Sequence, residues 1–190
     1  MNVRAAMFRA RSYTPLPLLV LVLIMADPSP ASLAAGGFIT LAGESIRLWA
    51  VGYAGSATRT RHVGASVLIT NGPYAYVRNP IYDGNFILSL GLCIMAWAWM
   101  PYMLLVFVLA FGIQYGLIVS LEEAHLRAAF PVEYGRYAAH VPRFLPNIRP
   151  YPYTSTLPFD LRDAFRSDRR TFQSIFAVSL AIAVRWYLKQ

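Results

Sequence analysis

The fold turns on residues 79–123, NPIYDGNFILSLGLCIMAWAWMPYMLLVFVLAFGIQYGLIVSLEE. Two apolar runs of nearly equal length, Pro80 to Trp99 and Pro101 to Leu121, lie end to end in this stretch. As helices rising 1.5 Å per residue, each spans about 30 Å. Pro80 opens the first run at the first helical position, where its missing N–H costs nothing, and Pro101 starts the second. Met100 is nearly the whole connection, so the pattern predicts an antiparallel helical hairpin. Its free ends return to the same depth. The first turn of one helix, Asn79 to Tyr82, is therefore expected beside Glu122 and Glu123, across a long gap in sequence.

Composition sets the environment of that hairpin. The chain is 57% hydrophobic and 14% charged, against about 45–50% and about 25% in a soluble domain. An ordinary soluble fold is excluded. The apolar runs are too long for the alternating ten-residue strands of an outer-membrane barrel. We expect an all-α, polytopic integral membrane protein with about five transmembrane helices and a cofactor pocket at their cytoplasmic ends. The net charge of +8 does not point to nucleic acid, because the basic residues, all arginine except Lys189, are scattered between apolar runs as in membrane loops. Cys93 is the one cysteine, so an intrachain disulfide and a thiolate metal cluster are both excluded. Glu122 and His125 have E-x-x-H spacing, but a bundle di-metal site needs two such motifs and further carboxylates. No metal is expected.

Working outward, the whole chain, 1–190, reads as one domain. A first short span, Leu16 to Ala26, follows Arg4, Arg9 and Arg11; no small-residue cleavage site follows it, so it reads as a retained span and not a signal peptide. Asp27-Pro28-Ser29-Pro30 breaks the helix, and Ala31 to Tyr53 forms a second span in which Glu44 and Arg47 lie one turn apart and pair or snorkel. Residues 54–78 form a polar connection ending in the turn signal Asn71-Gly72-Pro73-Tyr74. Past the hairpin, 124–145 reads as amphipathic and interfacial, and the prolines of 147–159 mark a non-helical linker. Residues 160–190 combine a basic helix capped by Asp160 with a last apolar run, Phe172 to Leu188. Gly112 and Gly116, with small-xxx-small spacing, are expected to let helices pack closely. Nearly all arginines fall on one side, including Arg59, Arg61 and Arg78. This predicts a cytoplasmic N-terminus and a cytoplasmic site.

The hairpin brings together two opposite electrostatic devices. A helix N-terminus offers free N–H groups and a positive dipole end to a carboxylate or phosphate. Two adjacent glutamates suit an ammonium or sulfonium. A mixed-charge ligand fits both, and ionisable residues at a membrane boundary are a functional hypothesis by default.

The residues that carry this pattern match a family. Residues 72–85, GPYAYVRNPIYDGN, then the hairpin, Glu122-Glu123, 130–137, FPVEYGRY, and 141–146, VPRFLP, together resemble the isoprenylcysteine carboxyl methyltransferase family, related to the membrane phospholipid N-methyltransferases. The resemblance covers about residues 41–146, including Arg47-Leu48-Trp49-Ala50. It implies S-adenosylmethionine as cofactor and a membrane lipid or lipidated acceptor as partner. Carried over by position, Val67, Leu68 and Ile69 line the pocket ahead of the turn and Tyr74 contacts the cofactor. Arg78, Asn79, Pro80, Ile81 and Tyr82 occupy the family's Arg-His-Pro-x-Tyr motif, and Glu122 matches the glutamate that meets the cofactor's amino-acid end.

Two positions depart from the pattern. Asn79 stands where the family has His, which removes a titratable group. Ile118 stands where the isoprenylcysteine enzymes have an arginine for the substrate carboxylate, one turn before the first glutamate. A carboxylate acceptor needs no base, whereas an amine acceptor must lose a proton, for which Glu123, Tyr134 or Tyr137 is a candidate. Arg143, with His140, is a candidate to orient a phosphate or carboxylate. The leading expectation is an O-methyltransferase, with a phospholipid N-methyltransferase as the alternative. A membrane sterol or enone reductase using NADPH is the reading from another class, although Arg78 alone is a poor contact set for a ribose phosphate.

Overall fold

In the computed structural model, which describes residues 3–55 and 67–190, seven α-helices bury two apolar clusters, one among the long helices and one around Tyr134 and Tyr137, and no strand occurs among the described residues. The helices are α1 (Val3–Ala10), α2 (Leu16–Ile24), α3 (Pro30–Ala54), α4 (Pro80–Ala96), α5 (Tyr102–Ala129), α6 (Pro131–His140) and α7 (Leu161–Tyr187), with a 3-10 turn at Gly72–Ala75. Arg59 and Arg61, used above to orient the chain, lie outside the described residues.

The hairpin is α4 and α5, with boundaries that differ from the sequence reading. α4 stops at Ala96. Trp97 adopts a left-handed conformation, φ 50°, and its N–H returns to Cys93 and Ile94 carbonyls, so residues 97–101 make the reversal. Aromatic side chains join the two helices: Phe86 lies 5.4 Å from Phe107 and 5.1 Å from Phe111, ring centre to ring centre, and Tyr82 lies 5.0 Å from Tyr115. α5 does not end at Leu121. Glu122 and Glu123 find partners within the protein and not solvent, so the helix continues to Ala129. It ends before Pro131, which drives Phe130 out of helical geometry. The stretch 124–145, read as one interfacial segment, is thus divided between the end of α5, α6 and a short loop.

The main packing partner of α4 is α3, not α5. The helices run antiparallel with Gly36 opposite Gly91 and Gly43 opposite Gly84, so the backbones meet directly. A Cβ on Gly91 would stand 2.4 Å from the Thr40 amide nitrogen, and one on Gly43 would stand 2.3 Å from that of Leu88. α3 opens with a capping box in which Ser29 and Ser32 satisfy each other's backbone N–H. The Ser32 hydroxyl also reaches the Met95 carbonyl at 3.2 Å. Gly112 and Gly116, expected to mediate close packing, face open space instead. Glycine spaced by seven on both α3 and α4 was the relevant signal.

α1, which the sequence reading left unassigned, packs on α5. Its Phe8 is buried beneath the Arg11 guanidinium. The proline-rich segment is non-helical, as expected, but docked. Asn147 and Tyr151 donate backbone bonds to Tyr76 and Ala75, Ser155 and Thr70 exchange hydrogen bonds, and Asp160 N–H meets the Gly52 carbonyl. Glu44 and Arg47 pair at 3.4 Å, and Arg47 also binds Asn85 of α4 together with Asp168 and Thr171 of α7. Among the described residues, one helix, α5, is long and apolar enough to cross a membrane; α4 is apolar but shorter.

The glycine crossing predicts opposite effects at two sites. Gly91→Ala should lower stability by about 2–3 kcal/mol through overpacking, whereas Gly112→Ala should raise it by about 0.5–1 kcal/mol through helix propensity. Equilibrium unfolding of the two purified variants measures both.

Candidate functional site at the open end of the hairpin

The start of α4 and the last third of α5 meet as the hairpin requires. Tyr82 donates its hydroxyl hydrogen to Glu122 Oε1 at 2.8 Å, and Tyr115 packs beside the Tyr82 ring. One residue further along, Glu123 is buried at 4% exposure. It accepts hydrogen bonds from Arg143, at 3.1 Å from Nε, and from Asn79 Nδ2 at 3.3 Å, with Arg78 Nε 3.5 Å away. Adjacent helical residues point about 100° apart. This rotation sends Glu122 to the tyrosine and Glu123 to the arginines.

Asn79 precedes the first turn of α4 but does not cap it. Its side-chain amide donates to Glu123 and to the Arg143 carbonyl at 3.0 Å. The Ile81 N–H therefore has no side-chain acceptor from the N-cap, and Pro80 at the first position has no N–H to offer. In this first turn Asp83 holds a buried Oδ2 with no hydrogen-bond partner among the described residues. Pro80 is fully buried and Ile81 is half-buried.

The preceding segment is held from the other side. Gly72 sits at φ 58°, and a Cβ there would stand 2.1 Å from the Tyr53 ring, so the turn that presents Tyr74 needs glycine. Tyr137 donates its hydroxyl to the Tyr74 carbonyl at 2.7 Å, and Arg78 N–H donates to the Pro142 carbonyl at 2.9 Å. Leu68 packs with Ala75, Tyr134 and Tyr137, and Ile69 is half-buried, whereas Val67 is 50% exposed and stands outside this cluster.

Electrostatics separate these groups by role. Burial, reinforced by the Glu122 carboxylate, pushes the Tyr74 phenol up; burial, then the neighbouring Tyr74, pushes Tyr137 up. Both are neutral at physiological pH. The Glu123 hydrogen bond holds Arg143 firmly protonated. Glu123, Tyr137 and Arg143, named as candidates to accept a proton or orient an anion, have partners within the protein. Tyr137 is a neutral phenol whose hydrogen is committed to a carbonyl, and Glu123 is tied between two guanidinium groups. Arg143 spends its charge on Glu123, and His140 contacts the Arg136 carbonyl. Glu123, Tyr137 and Arg143 brace the site; Tyr82, Glu122, Tyr74 and the first turn of α4 face one another. Sequence reasoning did not anticipate the bracing, because the relevant partners, Arg78 and Arg143, lie in segments it read as separate.

This geometry occurs in a chain with recognisable relatives. The family profile described as phospholipid methyltransferase matches residues 32–133. The cobalt-zinc-cadmium resistance protein CzcN of Cupriavidus metallidurans is 35% identical over 91 residues, 48% of this chain and 41% of that protein. The nickel-cobalt-cadmium resistance protein NccN of Alcaligenes xylosoxydans is 31% identical over 110 residues, 58% and 47% of the two chains. The protein-S-isoprenylcysteine O-methyltransferase of Schizosaccharomyces pombe is 34% identical over 118 residues, 59% and 48%. The aligned region thus spans less than half the length of each of these relatives. No solved structure matches. Among the described residues no group of three or more His, Cys, Asp or Glu is placed to hold a metal ion.

The two arginines bracing Glu123 differ in exposure, 13% for the Arg78 side chain and 44% for Arg143. Glu123→Ala should therefore cost about 3–5 kcal/mol by stranding a buried guanidinium, and Arg143→Ala less than about 1 kcal/mol. Chemical denaturation of both variants decides this. Since the matched region contains α4, most of α3, all of α5 and every group of the Tyr82–Glu122 junction, the chain belongs to the phospholipid methyltransferase family.

Proposed function

We propose that the chain is a membrane-embedded methyltransferase that uses S-adenosylmethionine and modifies a lipophilic acceptor. The observation that carries the reading is the Tyr82–Glu122 hydrogen bond, 2.8 Å across the hairpin, beside a helix start whose N-cap side chain makes no cap bond. Family membership adds the reaction class.

The residues fit the cofactor's mixed charge. Tyr82 engages one oxygen of Glu122, so the carboxylate keeps capacity for an ammonium group. Of the first amides of α4, those of Tyr82 and Asp83 go to the Asn79 carbonyl and Pro80 has none, which leaves the Ile81 N–H and the positive dipole end to suit a carboxylate. The rings of Tyr74 and Tyr82 with Leu68 and Ile69 supply apolar walls. Bound there, the cofactor supplies a methyl group on an electrophilic sulfonium. The protein's part is positioning and water exclusion, since displacement at a sulfonium requires an acceptor held in near-attack geometry. Glu123, Arg78, Asn79 and Arg143 keep the start of α4 and the end of α5 in register. Tyr137 fixes the turn that carries Tyr74. Val67 lies further out than the other proposed cofactor-binding residues.

A lipophilic acceptor is supported by an apolar cavity of about 240 Å³ next to Tyr115, inside the same group of helices. A bilayer setting is supported by α5 and by the composition. We read α3, α4 and α7 as further membrane-embedded helices with α2 as a short partial span, and residues 1–190 as a single unit. The arginine distribution supports a cytoplasmic site and N-terminus.

The leading acceptor is a carboxylate, by likeness to the isoprenylcysteine enzymes. An amine acceptor of phospholipid type is the second reading. Its specific support is Ile118, fully buried where the former enzymes have an arginine, which leaves no guanidinium at that turn for a carboxylate.

Glu122→Ala should weaken S-adenosylmethionine binding by about 1–3 kcal/mol, the loss expected when a charged partner is removed. Calorimetric titration of the purified protein tests this, and unchanged affinity contradicts the pocket. Labelled methyl transfer into membrane extracts separates the acceptors: base-labile label in a methyl ester indicates a carboxylate, base-stable label in phospholipid an amine.

A further inference from the structure

The cavity beside Tyr115 has an order along its length. Thr14, Gln114, Tyr115 and Thr171 lie towards the Tyr82–Glu122 junction, and Val22, Cys93, Phe107 and Val178 lie at the opposite end. All four contributing helices, α2, α4, α5 and α7, agree in this direction. Phe107 and Tyr115 are eight residues apart on α5, which makes the cavity about 12 Å deep at 1.5 Å per residue. Its far end is closed. Val22, Cys93 and Phe107 are buried members of one core cluster with Ala96, Met103 and Ile182.

The wall contributed by α7 is fixed at both ends. Near the mouth, Thr171 and Asp168 bind Arg47 of α3. Near the floor, Arg185 donates to the Ile24 and Ala26 carbonyls at the end of α2, and Lys189 pairs with Asp27 at 2.6 Å. A wall pinned above and below a closed floor sets a fixed depth. Both α2 and α7 lie outside the family-matched residues 32–133, so this wall is a feature of the chain's flanking segments.

We infer that the cavity seats one hydrocarbon chain of the methyl acceptor and that Val178 on α7, with Val22, Cys93 and Phe107, gauges that chain's length. The assignment to the acceptor rests on the methyl-transfer reading above. At about 30 Å³ per group, the share of a small molecule such as water in its liquid, 240 Å³ holds about eight methylene-sized groups. That is one chain, not two. The Tyr115 ring lies tilted against Tyr82 at the open end, so a chain lying in the cavity directs its polar head towards Glu122.

Cys93 is the protein's one thiol, and although buried it lines the floor, so its alkylation reports whether the cavity admits a small molecule; a wild-type thiol that stays unreacted without alkanol overturns the cavity. The test is alkylation of Cys93 by N-ethylmaleimide in the full chain held in amphipol, read by intact mass, with straight-chain alkanols of four to sixteen carbons as competitors. The half-protecting concentration should fall about fourfold per carbon, the equivalent of about 0.8 kcal/mol per buried methylene, and level off near eight carbons. Val178→Phe should move the plateau to shorter chains, and the milder Val178→Ala should move it to longer ones. Protection that keeps increasing to sixteen carbons, or a plateau unmoved in Val178→Ala, overturns the gauge. S-adenosylmethionine titrated into the same samples should bind all three proteins equally. A wild-type chain that fails to bind it overturns the acceptor assignment whatever Cys93 shows, and the alkanol series identifies which of the two ideas failed.

Discussion

The paired glutamates at the end of α5 hold the open side of the hairpin together, and most of the site's geometry follows from how their two side chains diverge. Glu123 turns into a buried knot with Arg78, Arg143 and Asn79, joining three segments distant in sequence. Glu122 turns to Tyr82. A carboxylate is expensive to bury unless its charge and hydrogen-bond capacity are met. Glu123 meets that requirement with two guanidinium groups and an amide, and so fixes α5 against the start of α4. Glu122, less fully engaged, is left as the chemically adaptable member of the pair.

A second buried knot performs a similar task deeper in the bundle. Arg47 collects Glu44, Asn85, Asp168 and Thr171, tying α3, α4 and α7 where Gly43 and Gly84 bring backbones into contact. The glycine crossing gains packing from close approach, and the arginine stem lies directly over Gly84. These two ionic centres and the aromatic contacts between α4 and α5 leave an apolar space in the middle of the helices. α2 and α7 contribute the rest of its lining.

The hairpin was legible because Pro80, Pro101 and two runs of matched length encode it locally. The same simplicity misplaced its ends: the αL exit at Trp97 carries no glycine to announce it, and α5 runs on past Glu122-Glu123 to Ala129 because their partners, hidden from the sequence, lie in the fold. Arg47 illustrates the general limit. Glu44, three residues away, was readable as its partner, but Asp168, 121 residues away, was not. Local spacing reveals neighbours on one helix and says nothing of which distant helix arrives. Gly112 and Gly116 misled for the opposite reason, since small-residue spacing permits a close crossing without creating one. Tyr74, Asn79, Tyr82 and Glu122 were singled out by their spacing and family resemblance, and the fold brings Tyr82 and Glu122 into contact. The bracing roles of Glu123, Tyr137 and Arg143 emerged only from the folded contacts.

The central claim is that the cofactor lies at the junction of the α4 start and the α5 end. Ultraviolet crosslinking of radiolabelled S-adenosylmethionine to the purified full chain, followed by peptide mapping, tests it most directly. The account predicts label confined to peptides containing residues 68–82 and 118–126. Label found instead on α2 or α7, or a chain that takes up none under conditions where it is folded, would contradict it.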